Sequence, residues 1–167
     1  MDVWAKTKHL FDTDDGSLPD IEFDIREDSA QGHVYSFLTH CAGILESETA
    51  YYWSKSKQTE IPISFGDNPA DLVPANEAEP FHVVFGEITS PSGNNLPSLG
   101  LFVFQEEISL DYRMGWGWDE NAVVGLFEIL RTISEIVGSN FNHLGNENDS
   151  GTELKEAFNL WLELSAT

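Results

Sequence analysis

Three groups of residues in this chain carry side chains capable of chemistry at suggestive spacings. The first is the run "FDTDDGSLPDIEFDI" over residues 11–25, with carboxylates at Asp12, Asp14, Asp15, Asp20, Glu22 and Asp24. A calcium loop of the EF-hand type needs oxygen donors at positions 1, 3 and 5, glycine at 6 and glutamate at 12. Counted from Asp12, positions 5, 6 and 12 fall on Gly16, Ser17 and Phe23, so the pattern fails where it matters. The Asp15-Gly16 step, with Pro19 stiffening the exit, has the composition of a turn instead. The second group is His40-Cys41. A nucleophilic thiolate needs a base close in space, and neighbours on an extended chain point to opposite faces, so Cys41 is expected to be a small buried residue. The third is "DYRMGWGWDEN" at 111–121. Asp111 and Glu120 would suit acid–base chemistry if one of them were buried with a raised pKa. Asp111 and Arg113 are more simply expected to form a same-face ion pair. Trp116 and Trp118 are candidate binding anchors, because tryptophan covers a large area and keeps one donor; core burial of either ring is the competing role.

No metal or cofactor pattern accompanies these groups. His9, His33, His40, His82 and His143 show no H-x-x-x-H, H-x-H or H-E-x-x-H spacing. There is no Walker loop, no G-x-G-x-x-G after a strand and no G-x-S-x-G. The expectation is a protein without a cofactor or metal, and not an enzyme.

The elements that must position these residues are legible in the apolar pattern. In "DIEFDIR" at 20–26, Ile21, Phe23 and Ile25 share one face, and Asp20, Glu22 and Asp24 the other, as in a half-buried strand. Carboxylates spaced ~6.8 Å apart along it suit separate cationic contacts better than shared chelation. "HVYSFLTHCAG" at 33–43 is read as a second strand, and "TAYYW" at 49–53 and "IPISF" at 61–65 as shorter ones, the last at an edge because of Pro62. The segment 66–80, carrying Pro69, Pro74 and Pro80 with Asp67, Asp71, Glu77 and Glu79, reads as a loop. Strands resume at 81–88. The run "LGLFVF" at 99–104 has the unbroken apolar character of a strand buried on both faces, and it turns near Gln105 and Glu106 into "EISLDY" at 107–112. Val123, Leu126, Phe127, Leu130, Ile133 and Val137 keep helical spacing between a capping Asp119 and a terminating Gly138. A polar linker over 139–151 leads to a second helix with Ser150 and Glu153 as a capping box and Leu154, Phe158, Trp161 and Leu162 as its stripe. Strands first and helices last predict an α+β fold: a mostly antiparallel sheet with two C-terminal helices packed on one face, in a single domain strand-rich over 1–112 and helical over 119–167.

Charge bounds the partner. Of the 167 residues, 29 are Asp or Glu and 8 are Lys or Arg, a formal net charge of −21. Only Arg113, Arg131 and Lys155 follow residue 58, so most of the later carboxylates face solvent or a foreign surface. Such a chain repels nucleic-acid phosphates and anionic membranes and attracts basic proteins. The single cysteine excludes an internal disulfide, no apolar run approaches membrane-helix length, and the first residues lack a secretory h-region, so a cytoplasmic setting is expected.

The acid rows at 12–28 and 66–79, the exposed-Trp candidate Gly-Trp-Gly-Trp at 115–118 and the lack of catalytic signatures resemble the character of bacterial immunity proteins, which bind and neutralise a cognate toxin. The resemblance implies a basic toxin as partner. The docking set expected for it is Asp12, Asp14, Asp15, Asp20, Glu22, Asp24, Asp67, Asp71, Glu77, Glu79, Trp116, Trp118, Asp119 and Glu120. Two other functions compete: a small hydrolase or transferase using carboxylates near Asp111 and Glu120, and an acidic adaptor or chaperone for basic proteins.

Overall fold

The computed structural model describes residues 2–46, 50–144 and 151–167. In chain order the elements are α1 (Val3–Thr7), β1 (Asp20–Asp24), α2 (Ala30–Cys41), β2 (Ile44–Leu45), β3 (Tyr51–Ser54), β4 (Thr59–Pro62), β5 (Phe81–Gly86), β6 (Ile88–Thr89), β7 (Asn95–Leu96), β8 (Leu99–Val103), β9 (Glu107–Tyr112), α3 (Glu120–Val137), β10 (Asn142–Leu144) and α4 (Glu153–Ser165). Among the described residues the main sheet has six strands in the order β10-β1-β9-β8-β5-β2, every pairing antiparallel. The hairpins β3–β4 and β6–β7 stand apart from it. The α+β, antiparallel expectation therefore holds.

The alternation read in β1 decides the layering. Ile21 and Phe23 are fully buried, as are Leu99, Leu101 and Val103 of β8 and Ile108, Leu110 and Tyr112 of β9. They form one core with Val34, Tyr35 and Leu38 of α2, the predicted stripe of α3, and Leu154 and Phe158 of α4. The alternate residues of the same strands turn away from this core, as the two-residue period of a strand requires. Among the described residues no helix is long and apolar enough to cross a membrane.

Several expectations need correction. Residues 30–41 are helical, not a strand. Ala30, Val34, Tyr35, Leu38 and Cys41 lie on one helical face and are buried, while the β-branched and aromatic content of the segment suggests a strand. Ser29 offers no side-chain cap; the backbone N–H of Gly32 donates instead to Asp71 Oδ1 at 2.8 Å, thirty-nine residues later. Helices are thus not confined to the C-terminus, and α1 opens the chain. The predicted linker after Gly138 contains β10, which pairs with β1 through Ile21↔His143 and buries Phe141 and His143. The supposed Ser150 cap lies outside the described residues. β8 is not buried on both faces: Phe102 is 37% exposed on the side away from the helices. The hairpin turn after β8, the Asp119 cap (Ala122 N–H to Oδ1, 2.8 Å) and the left-handed Gly138 (φ 73°) all form as predicted.

Candidate functional site: the open face of the sheet

One face of the main sheet carries α2, α3 and α4. The other presents Asp20, Glu22 and Asp24 of β1 beside Glu107, Ser109 and Asp111 of β9. Register places Asp20 opposite Asp111, Glu22 opposite Ser109, and Asp24 opposite Glu107. Directly opposed side chains in an antiparallel pair have Cβ atoms ~4.5–5.5 Å apart, and like charges there repel. Among the described residues no lysine or arginine forms an ion pair with Asp20, Glu22, Asp24 or Glu107.

The electrostatic consequence appears in their protonation. The Asp20 carboxyl is pushed above its ordinary value by burial and by the Asp111 charge, partly offset by His82 and a hydrogen bond from Ser109. Glu22 is raised by burial and then by Glu107, Asp20 and Asp24. Glu107 is raised by burial and by Asp24 and Asp20. Three carboxylates on one face thus resist ionisation, first because burial strips their carboxylates of water and second because their neighbours are also anionic.

Beside the acids runs an aromatic row. His82 packs tilted against Phe102 with ring centroids 4.2 Å apart, and Phe102 stacks on Phe104 at 5.7 Å. On the other side, at the edge strand, Leu144 is exposed. The face therefore combines unneutralised charge with apolar surface.

Where β8 begins and β9 ends the face deepens into a cavity of about 580 Å³. Its floor is Gly100, across which His82 Nε2 meets Asp111 Oδ2 at 2.7 Å. A Cβ on Gly100 would collide with both groups, so glycine is what lets the pair lie against the sheet. Glu46, which accepts a 2.6 Å hydrogen bond from Ser98 Oγ, stands on one wall. On another, Arg113 reaches Asp14 at 3.8 Å, not Asp111 as the sequence suggests. The two-residue spacing of Asp111 and Arg113 does not unite them because Asp111 is claimed by His82 two strands away.

The Gly-spaced tryptophans divide. Trp118 is 6% exposed, packs on Phe11 (4.7 Å) and Tyr112 (5.5 Å), and donates Nε1–H to the Arg113 carbonyl at 2.8 Å. Trp116 is 100% exposed, at the cavity mouth, between Gly115 (φ 133°) and Gly117 (φ 101°). Those backbone angles are open to glycine and costly for other residues, and they carry the indole outward.

The remaining predicted residues are dispersed. Asp15 accepts from Ser17 N–H and Oγ at 2.9 and 2.6 Å, closing the turn around Gly16 (φ 81°). Asp12 lies 3.7 Å from Lys8. Asp67 accepts from Ser64 N–H, Asp71 caps α2, and Glu79 lies 4.0 Å from Lys55. Glu77 is exposed. Asp119 is used as the α3 cap and Glu120 sits exposed in its first turn. The structure brings together Asp20, Glu22 and Asp24, and Asp14 with Trp116; it adds Glu107, His82, Phe102 and Phe104, absent from the expected docking set, and Asp111, which the sequence singled out only for acid–base chemistry or an ion pair with Arg113. The alternation of 107–112 was the available signal for Glu107 and Asp111. Cys41 is buried, and burial pushes its thiol pKa up, the opposite of an activated nucleophile.

The architecture is thus an antiparallel sheet with helices on its apolar side and, on the other, a row of acids in which Asp24 is exposed and Ser109 and Asp111 are buried. No family model matches the chain, and no curated protein does. The fold is similar to that of one chain in the crystal structure of the toxic C-terminal tip of CdiA from Pseudomonas aeruginosa in complex with immune protein. The TM-score is 0.53 at 13% identity, over 79% of this chain and 88% of the matched one. At that identity the likeness is one of fold.

Proposed function

We propose that this protein is an immunity protein, which binds a cognate, basic bacterial toxin on the open face of its sheet and thereby inhibits it. The observation that carries the proposal is the row Asp20, Glu22, Asp24, Glu107: carboxylates on one face to which, among the described residues, no lysine or arginine pairs. A fold that leaves this repulsion in place keeps a surface whose energy falls when a cationic partner arrives. Carboxylates steer a basic surface into encounter and raise the association rate, while Phe102, Leu144 and Trp116 supply the apolar contact that slows dissociation. The fold likeness to a chain from a toxin–immune protein complex fits this role. Inhibition follows from occupancy: a toxin whose basic cleft is filled by this face cannot admit an anionic substrate.

The test is a pull-down and co-expression with the product of the neighbouring toxin gene. A tight complex, growth protection and an association rate that falls steeply with salt are expected. Absence of any complex refutes the proposal. A promiscuous, weak binding of many basic proteins, lost at moderate salt, would point to the adaptor role instead.

An enzymatic role has one observation in its favour, the His82–Asp111 pair on the cavity floor. It lacks the rest of a triad among the described residues, since the Ser98 hydroxyl donates to Glu46 and not to His82. Glu120, the predicted partner of Asp111, lies in the first turn of α3 and not on the cavity wall.

A further inference from the structure

Resting on the docking role above, we infer that the cavity over Gly100 is a socket for one arginine side chain of the partner, its guanidinium set against Glu46 and Asp111 and its plane covered by the Trp116 indole. Four observations converge on this occupant. The cavity, about 580 Å³, lies in the size range of ~300–1,000 Å³ typical of ligand sites, enough for a long side chain and its flanking backbone. Its lining carries three carboxylates, Asp14, the exposed Glu46 and the 8%-exposed Asp111, against His82, which pairs with Asp111, and Arg113, which pairs with Asp14; among the described residues Glu46 has no cationic partner, so the site favours a further cation. Its stem-lining surface is apolar, from Val84 and Pro97. Its mouth holds a fully exposed tryptophan whose ring packs on no other ring among the described residues, carried out on two glycines with positive φ.

Arginine meets these demands better than lysine. Its planar guanidinium stacks on an indole face and offers paired N–H donors to carboxylates, whereas an ammonium is a strongly hydrated point charge. Arg113 supplies an internal precedent at the rim: its guanidinium already lies 3.8 Å from Asp14 on the same cavity, without entering the Gly100 floor. A guest from the partner would reach Glu46 and share Asp111 with His82, beyond the Asp14 that Arg113 holds.

The test needs no toxin. The full chain is titrated with N-acetyl-L-argininamide and, separately, with its uncharged citrulline counterpart. Amide and indole NMR signals of Trp116, Gly115 and Gly100 report on the cavity. Saturable shifts at these positions with the arginine compound only are expected. Glu46→Gln should weaken them about fivefold, the scale of one partly exposed carboxylate–cation pair. Trp116→Ala should do likewise through the lost cation–π contact. Both substitutions are at exposed positions, and the dispersed remainder of the spectrum verifies folding. The absence of saturable shifts, or equal shifts with the citrulline compound, overturns the inference. Growth protection without this discrimination removes the socket and leaves the immunity role; discrimination without toxin binding does the reverse.

Discussion

Replacing Glu22 by glutamine should make this protein more stable while making it a poorer binder. Glu22 sits mid-strand, flanked by Asp20 and Asp24 on the same face, with Glu107 diagonal to it across the ladder. Two unit charges ~6.8 Å apart repel by ~0.6 kcal/mol in water, and a screening length of ~8 Å at physiological ionic strength lowers that to ~0.3 kcal/mol. Three neighbours together bring the relief to ~1 kcal/mol. Glutamine keeps the shape of the side chain, so no packing is lost. For a chain of this size ~1 kcal/mol raises the melting temperature by ~2–4 °C. Thermal unfolding followed by circular dichroism at ~0.15 M and ~1 M NaCl is the assay, because a screening length of ~3 Å at the higher salt should abolish the gain. Glu120→Gln is the control: that acid lies in the first turn of α3, where a negative charge is favourable, and its loss should lower stability slightly. The same Glu22 variant should associate several-fold more slowly with the toxin. An unchanged or lowered melting temperature, or a gain that survives high salt, would show that the open face is not under electrostatic strain.

Further outcomes follow from individual contacts. Trp118→Ala should cost ~3–5 kcal/mol, since a fully packed indole is removed, and urea unfolding measures it; Trp116→Ala should stay within ~0.5 kcal/mol of the parent. Asp71→Ala should cost ~1–2 kcal/mol by stripping the α2 terminus of its cap, seen as faster hydrogen exchange at Gly32. The pH response has opposing parts. Asp20, Glu22 and Glu107 have raised folded pKa values, so they bind protons more readily folded than unfolded; their destabilisation is full at neutral pH and is relieved as pH falls through those values. Glu128 behaves oppositely. Burial alone would raise it, but hydrogen bonds from Ser90 and Ser92 and the nearby Arg131 hold it below its ordinary value, so its contribution is present at neutral pH and lost as pH falls through the folded value. Melting temperature should therefore rise as pH is lowered from neutral through the raised values of these three acids, and Glu128→Gln, which has no opposing contribution to lose, should hold that gain to lower pH. A monotonic fall over that interval would contradict the assignment of these acids to a strained face.

Periodicity alone determined much of this protein. The two-residue alternation of 20–25 and 107–112 and the helical stripe of 123–137 are local signals, set by which face must leave water; the structure keeps the first and the last, while in 107–112 Ser109 and Asp111 are buried beside Ile108, Leu110 and Tyr112. The excess of acids was equally plain. The tertiary fold decided which acids share a surface, because strand order is set by long-range packing that no local pattern records. Asp20 meets Asp111 across a ladder joining residues ninety-one positions apart, and His82 reaches Asp111 from a strand beyond. It also overrode local propensity in α2, where core burial and a cap from Asp71 outweigh a strand-like composition. The two tryptophans make the distinction sharpest: identical residues two positions apart, one sealed against Phe11 and Tyr112 and one standing in water, separated by a glycine backbone whose direction only the folded chain defines.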